Sequence, residues 1–226
     1  MLRALLLDAA GTLIEPAEPV AEVYARAAEF HGQALDPAAV KQAFRETFSG
    51  LADPDWAAHP HGDAAEREWW RQIVGRTLNT AAGTVLPHDF VEACFPTLFA
   101  HYADPAAWRV FPEVPEVLAA ARESGFRLAV VSNFDRRLHG ILAGHGLHFD
   151  AVVTSADAAC RKPAQGIFRH ALELLDLSPA EAFHCGDSHA ADFLGAQAAG
   201  IPAWHLERPA GDLRAFLAEA LAKRAK

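Results

Sequence analysis

The sequence has only three cysteines in 226 residues, and they stand far apart at Cys94, Cys160 and Cys185. An odd number of cysteines without a Cys-x-x-Cys pair does not resemble a disulfide framework or a zinc site. We therefore interpret all three as reduced thiols, and this interpretation favours a cytoplasmic protein.

Positive charge is also scarce, because 20 Lys and Arg residues face 29 Asp and Glu residues, and the formal net charge is -9. Nucleic acids and anionic membrane surfaces bind basic patches, so neither is an expected partner. The sequence also lacks a charged-then-apolar leader and any run of about 20 apolar residues, so neither secretion nor a membrane span is expected. An anionic substrate must then be attracted by groups within its own site.

The sequence does contain short apolar runs that end in polar residues, and the first of them is Leu2–Leu7 followed by Asp8. Near-continuous hydrophobicity of this length is typical of a strand buried on both faces of a parallel sheet. A carboxylate at the end of such a strand needs a partner such as a cation. Gly11 permits a sharp turn after the strand, and Thr12 offers a hydroxyl and an N–H to an anion.

Residues 16–104 are predicted to form a helical insert, because no convincing strand pattern occurs between Glu15 and Tyr102. Within it, helices are predicted at about 18–31, 37–49, 63–80 and 87–102. The aromatic pair Trp69-Trp70 and the residues Phe95, Leu98 and Phe99 are predicted to form the core of this insert.

From Phe111 onward the pattern changes to alternating strands and helices. Strands are predicted at 128–131, 151–154, 182–185 and 202–206, and helices at 115–124, 136–143, 167–175 and 192–199. Asp135 is a predicted N-cap of the second of these helices. The alternation predicts an α/β fold, in which residues 1–15 and 105–226 form a Rossmann-like, doubly wound parallel sheet.

Polar residues follow the ends of the predicted strands at Asp8, Ser132 and Asp187, and Lys162 lies in a loop between units. In open α/β sheets that edge binds ligands. Two carboxylates that meet there repel each other unless a cation separates them, and Mg²⁺ binds one or two carboxylates together with a substrate phosphate. Taken singly, each residue also has an ordinary explanation: Asp187 and Asp192 as acids near a helix N-terminus, Ser132 as a turn hydroxyl, Lys162 as a solvated charge.

Together these segments resemble the four ordered motifs of the haloacid dehalogenase superfamily. The matching segments are Asp8–Leu13, Val130–Asn133, Lys162-Pro163 with Ile167-Phe168, and Gly186–Ser188 with Asp192 and Gly195-Ala196. The helical insert resembles the cap domain of that superfamily, so the resemblance covers essentially the whole chain. Ser132–Leu138 and Trp69-Trp70 are closest to one group of the superfamily whose substrate is poorly defined.

The resemblance implies a phosphatase that acts on a small phosphorylated metabolite, as a monomer or a homodimer. Asp8 matches the nucleophile that forms an aspartyl-phosphate. Asp187 and the backbone carbonyl of Ala10 match ligands that, with Asp8, bind Mg²⁺, and Asp192 matches a residue that supports the metal shell or the lysine.

The resemblance also implies which groups contact the transferring phosphoryl group. Ser132 and Lys162 match residues that hold the phosphoryl oxygens and offset their charge. Thr12 and Asn133 are further substrate-binding candidates next to them.

Ala10 departs from the superfamily pattern, because phosphatases of this type usually carry a second aspartate at that position. That aspartate protonates the leaving group and later activates water. General acid–base catalysis contributes about 10²–10⁴-fold, so an ester with a poor leaving group should react slowly here.

Three alternatives remain open at this stage. The 2-haloacid dehalogenases also lack the second aspartate, but they need no metal, and the Gly186–Ser188 motif with Asp192 argues against them. A phosphonate hydrolase would need a cap lysine for a Schiff base, and Lys41 is the only lysine in the insert. A catalytically weak module that binds metal and phosphate is the third alternative.

Overall fold

The apolar runs form the strands of a parallel sheet in the computed structural model, which describes residues 1–59 and 61–225. The strands are β1 (Ala4–Leu7), β2 (Ile14–Pro16), β3 (Trp108–Val110), β4 (Arg127–Ser132), β5 (Ala151–Thr154), β6 (Ala182–Gly186) and β7 (Ala203–His205). Five of them pair in parallel in the order β5-β4-β1-β6-β7, and β2 pairs with β3 separately. The chain fills one side of β1 and then the other, which is the doubly wound arrangement.

The chain divides into two compact units, one of Pro16–Trp108 and the other of Met1–Glu15 with the chain from Arg109 onward. The first unit is built from α1 (Val20–Phe30), α2 (Pro37–Gly50), α3 (Gly62–Ala82) and α4 (His88–His101). Phe95 and Leu98 lie in its buried core, and Trp70 and Phe99 pack against that core. Trp69 is buried as well, so the predicted helices and the predicted aromatic core of the insert are confirmed.

The second unit surrounds its sheet with helices. They are α5 (Val114–Glu123), α6 (Arg137–Gly144), α7 (Ser155–Ala158), α8 (Gln165–Leu175), α9 (Gly195–Ala198) and α10 (Leu213–Arg224). Leu6 and Val131 of the sheet share one buried cluster with Ile167 and Phe168 of α8. Fully burying an aliphatic side chain contributes about 1.5–3 kcal/mol, so this layer stabilises the strands whose ends build the site.

The predicted fold class, an α/β Rossmann-like core, is confirmed, but several local predictions are wrong. Arg136 rather than Asp135 holds the N-cap position of α6, and the Asp135 carboxylate accepts a hydrogen bond from the Arg137 N–H at 3.0 Å. The helix predicted at 192–199 begins earlier, as a π-helical turn over His189–Leu194 that continues into α9. The sequence prediction also missed α10 and the short strand β2.

No helix in the described part of the chain is both long and apolar enough to cross a membrane.

Candidate active site

The strand register brings the predicted catalytic segments to one edge of the sheet. Leu7 of β1 lies opposite Val130 of β4 and Cys185 of β6. Asp8 therefore follows β1 at the level where β4 ends in Ser132 and where Asp187 follows β6. This is the carboxyl edge next to the central strand, where the winding direction of the sheet reverses and ligands bind.

Lys162 joins two of the carboxylates at this edge. Its Nζ lies 2.6 Å from Oδ1 of Asp8 and 2.5 Å from Oδ1 of Asp192. The three side chains are buried, with exposed fractions of 2%, 7% and 2% for Lys162, Asp8 and Asp192. Ion pairs this well buried need additional hydrogen bonds to offset the loss of water.

Those additional hydrogen bonds come from the neighbouring motifs. The Asn133 carboxamide accepts from the Lys162 N–H at 2.7 Å and donates to the Lys162 carbonyl at 2.9 Å, which fixes the loop that carries the lysine. Oδ2 of Asp192 accepts from the Ser188 N–H at 3.0 Å. Nε2 of His184 lies 3.0 Å from Oδ1 of Asp192. Both ends of the Lys162–Asp192 pair are therefore held in place.

Two glycines allow the carboxylates to approach the backbone. A Cβ at Gly186 would lie 2.1 Å from Cγ of Asp192, and a Cβ at Gly11 would lie 2.4 Å from Oδ2 of Asp187. Gly11 also has φ of +86°, which favours glycine. The turn after Asp8 and the end of β6 are thus shaped around the two acidic side chains.

The electrostatics of the site follow from burial and from these neighbours. Burial raises the pKa of Asp8, and Asp192 adds to the rise while Lys162 opposes it. Burial alone would raise the pKa of Asp192 as well, but Lys162 and His184 hold it well below its usual range. Although burial opposes it, the two carboxylates raise the pKa of Lys162. Asp187 is an exposed residue. Even so, partial desolvation of its carboxylate and the charges of Asp8 and Asp192 raise its pKa to about 6.

A cluster of three carboxylates fits a hard divalent cation. Oxygen atoms of Asp8, Asp187 and Asp192 all lie within 4.8 Å of one another. Because Lys162, His184 and Ser188 already use the oxygens of Asp192, Asp8 and Asp187 are the carboxylates best suited to contact an ion directly. Oxygen atoms of carboxylates are ligands that Mg²⁺ prefers.

The turn after Asp8 leaves a backbone oxygen for the same purpose. The Ala9 carbonyl accepts the N–H groups of Thr12, Leu13 and Ile14, whereas the Ala10 carbonyl accepts none of the hydrogen bonds of this turn. Ala10 is therefore suited to supply a main-chain ligand whatever its side chain.

Two of the predicted substrate-binding residues, Thr12 and Asn133, already form hydrogen bonds within the chain. The Thr12 N–H donates to the Ala9 carbonyl at 3.2 Å, so it is not free to bind an anion. The Thr12 hydroxyl is buried and, among the described residues, has no hydrogen-bond partner. The Asn133 carboxamide is hydrogen-bonded to the backbone of Lys162 and so holds the lysine loop. Ser132 is buried and lies at the edge by register.

Sequence reasoning missed two residues of the site. His184 contacts Asp192, and the available signal was a polar residue inside the apolar run of β6, since buried polar groups are hydrogen-bonded. Arg208 donates to the Thr12 carbonyl at 2.8 Å and to Glu113 at 2.5 Å. No signal in the sequence links Arg208 to a turn about two hundred residues earlier.

The chain is similar to known hydrolases over most of its length. A family profile described as haloacid dehalogenase-like hydrolase matches residues 2–200. The human haloacid dehalogenase-like hydrolase domain-containing protein 3 is 37% identical over 204 residues, which cover 88% of this chain and 80% of the human protein.

Two further proteins to which this chain is similar have names that describe different activities. A plasmid-encoded phosphoglycolate phosphatase of Cupriavidus necator is 38% identical over 135 residues, which cover 58% of this chain and 57% of that protein. The structure of the L-2-haloacid dehalogenase from Xanthobacter autotrophicus aligns with a TM-score of 0.67 and 22% identity, covering 99% of this chain and 82% of that structure. At that identity the second similarity shows the fold alone.

Proposed function

The chain belongs to the family of haloacid dehalogenase-like hydrolases, and from this premise we propose that it is a Mg²⁺-dependent phosphatase acting on a small phosphorylated metabolite. The observation that carries the proposal is the cluster of Asp8, Asp187 and Asp192 with the Lys162 ammonium bound within it. Phosphoryl transfer of this kind requires a nucleophile, a ligand for the metal ion and a positively charged group near the phosphoryl oxygens. Asp8, Asp187 and Lys162 can supply these three in turn.

Asp8 is the proposed nucleophile. A carboxylate oxygen of Asp8 attacks phosphorus, the bond from phosphorus to the ester oxygen breaks, and an aspartyl-phosphate and an alkoxide leaving group result. Water then attacks the same phosphorus, which releases inorganic phosphate and regenerates the carboxylate. Mg²⁺, when bound, would supply positive charge for the phosphoryl oxygens during both transfers.

Lys162 and Ser132 are the proposed contacts of the phosphoryl group. The Lys162 ammonium already bonds to Asp8, so it lies where charge accumulates on the transferring oxygens. Ala10 has no proton to give to the leaving alkoxide, so the leaving group must take its proton from water. Substrates with good leaving groups should therefore react faster.

The specific alternative is a 2-haloacid dehalogenase, which uses a carboxylate nucleophile on the same fold. Ala10 is compatible with it, since a halide leaves without a proton. A metal-independent nucleophile gains nothing from two further carboxylates within 4.8 Å, and the charge of Asp192 raises the pKa of Asp8, which burial has already raised. We therefore favour the phosphatase.

A substrate panel tests the proposal directly. With saturating Mg²⁺ we expect inorganic phosphate from at least one phosphorylated metabolite and from p-nitrophenyl phosphate, and no phosphate when EDTA replaces Mg²⁺. The panel includes a 2-haloacid and phosphonoacetaldehyde. Halide release in EDTA would identify a dehalogenase instead, and Mg²⁺ binding without turnover of any compound would identify a binding module.

Mg²⁺ binding can be tested without turnover. By titration calorimetry we expect Asp187→Ala to weaken Mg²⁺ binding by at least about 10–100-fold, the loss known for residues that merely support metal ligands. The control is Asp53→Ala, which removes an exposed carboxylate from a loop of the other unit and should bind Mg²⁺ like the parent. Equal affinity of Asp187→Ala and the parent would contradict the assignment of Asp187 as a ligand.

A further inference from the structure

His184 is an imidazole inside the apolar core of the sheet. It lies in β6 opposite Leu6, has no exposed surface, and packs edge-on against the Phe168 ring at a centroid distance of 5.1 Å. A polar ring in such surroundings is costly unless it forms a hydrogen bond. Its hydrogen bond runs from Nε2 to Oδ1 of Asp192, while Nδ1 has no partner among the residues that the structure describes.

The hydrogen-bond pattern determines how the imidazole acts. An ionised carboxylate only accepts hydrogen bonds, so Nε2 of His184 must carry the proton that is donated to Asp192. The same oxygen, Oδ1 of Asp192, also accepts from Lys162 at 2.5 Å, and Lys162 reaches Asp8 at 2.6 Å. Four buried groups therefore form one connected row, His184–Asp192–Lys162–Asp8.

The position of the Asp192 carboxylate decides where the ammonium lies. The Ser188 N–H holds one of its oxygens and the His184 ring holds the other. Without the ring, Oδ1 would be held by Lys162 alone, and only the Ser188 N–H would still restrain the carboxylate against rotation. The ammonium would then follow Asp192 rather than remain shared with Asp8.

We propose that His184 is a positioning residue that, through Asp192, sets the distance of the Lys162 ammonium from Asp8. This inference rests on the proposed function for its effect on turnover, because the ammonium acts in catalysis only if Asp8 accepts a phosphoryl group. It does not rest on that function for the position of the ammonium itself.

The kinetic test compares two substitutions of the same residue. His184→Phe keeps a flat ring but removes the donor, and we expect kcat for p-nitrophenyl phosphate at saturating Mg²⁺ to fall about 10–100-fold, because small misplacements of a catalytic group have effects of this size. KM should change by less than about threefold, since the ammonium contributes most in the transition state. His184→Gln restores an N–H near Nε2 and should recover most of kcat. His170→Phe, on α8 outside the row, is the matched control.

A readout independent of turnover separates this inference from the proposed function. The chain has four lysines, so NMR of protein labelled with ¹⁵N-lysine gives a simple spectrum in which Lys162→Met identifies the buried ammonium. We expect its signal to shift in His184→Phe and to return in His184→Gln, with or without phosphatase activity in the parent. A Lys162 signal that is unchanged in His184→Phe would overturn the inference whatever the turnover. If the parent turns over p-nitrophenyl phosphate, a kcat in His184→Gln as low as that in His184→Phe would also overturn it.

Discussion

Methionine in place of Lys162 is expected to lower the free energy of unfolding by about 3–5 kcal/mol in metal-free buffer, as when one partner of a buried ion pair is removed. Lys162 Nζ lies within 2.6 Å of both Asp8 and Asp192. Without the ammonium, both carboxylates remain buried and repel each other. Urea unfolding in EDTA measures the loss. Lys223→Met is the control, because its exposed pair with Glu219 should contribute less than about 1 kcal/mol.

The stability deficit of Lys162→Met should shrink as the pH falls. In the parent, Lys162 holds the pKa of Asp192 low, so the stability from that carboxylate is present at neutral pH and is lost only in strong acid. In the variant, burial and repulsion should raise the pKa of Asp8 and Asp192 above their unfolded values. The folded state then binds more protons than the unfolded state, so the variant gains stability towards acid. Unfolding at pH 7 and pH 5 measures this, and a deficit that is small or independent of pH would contradict it.

The edge that carries the site could be predicted because apolar runs mark buried strands and parallel strands end on the same side. That reasoning placed Asp8, Ser132 and Asp187 at one edge, and the register of β1 with β4 and β6 brings them to it. The fold class followed from the same alternation of strands and helices. Both inferences depend on the pattern of apolar residues and on the order of strands and helices along the chain. A single sequence contains both.

Pairwise contacts between distant segments could not be predicted in this way. Asn133 is a predicted substrate contact, but nothing in the sequence indicates that its carboxamide also binds the Lys162 backbone 29 residues away. The hydrogen bond from Arg208 to the Thr12 carbonyl forms only because the loop after β7 brings the arginine to that turn. Such contacts depend on loop paths, and loop paths have no periodic signal.

One miss was avoidable. Helix α10 buries Leu213, Phe216, Leu217 and Ala220. These buried positions share one face of the helix, and the segment consists almost entirely of strong helix formers, which is visible in the sequence. Asp212 precedes it and accepts from the Arg214 N–H at 2.9 Å as an N-cap.

Aspartate in place of Ala10 is expected to raise the turnover of alkyl phosphate esters, relative to that of p-nitrophenyl phosphate, by an amount within about 10²–10⁴-fold. Position 10 lies in the turn two residues after Asp8 and is half-buried, so a carboxyl group there is close to the nucleophile. An alkoxide needs a proton in order to leave, whereas p-nitrophenolate does not. The two rates are compared at saturating Mg²⁺, because a further carboxylate would otherwise raise the pKa of Asp8.

Two control variants make the comparison of Ala10→Asp with the parent decisive. Ala10→Asn has nearly the same shape as Ala10→Asp but cannot supply a proton as a carboxylic acid, so it should leave the preference for good leaving groups unchanged. Asp8→Asn should be inactive both in the parent and with Ala10→Asp, because the nucleophile is gone. If Ala10→Asp left the leaving-group preference unchanged while Asp8→Asn remained active, Asp8 would not be the nucleophile. The cluster around Lys162 would then bind metal and phosphate, and the measured turnover would depend on another group.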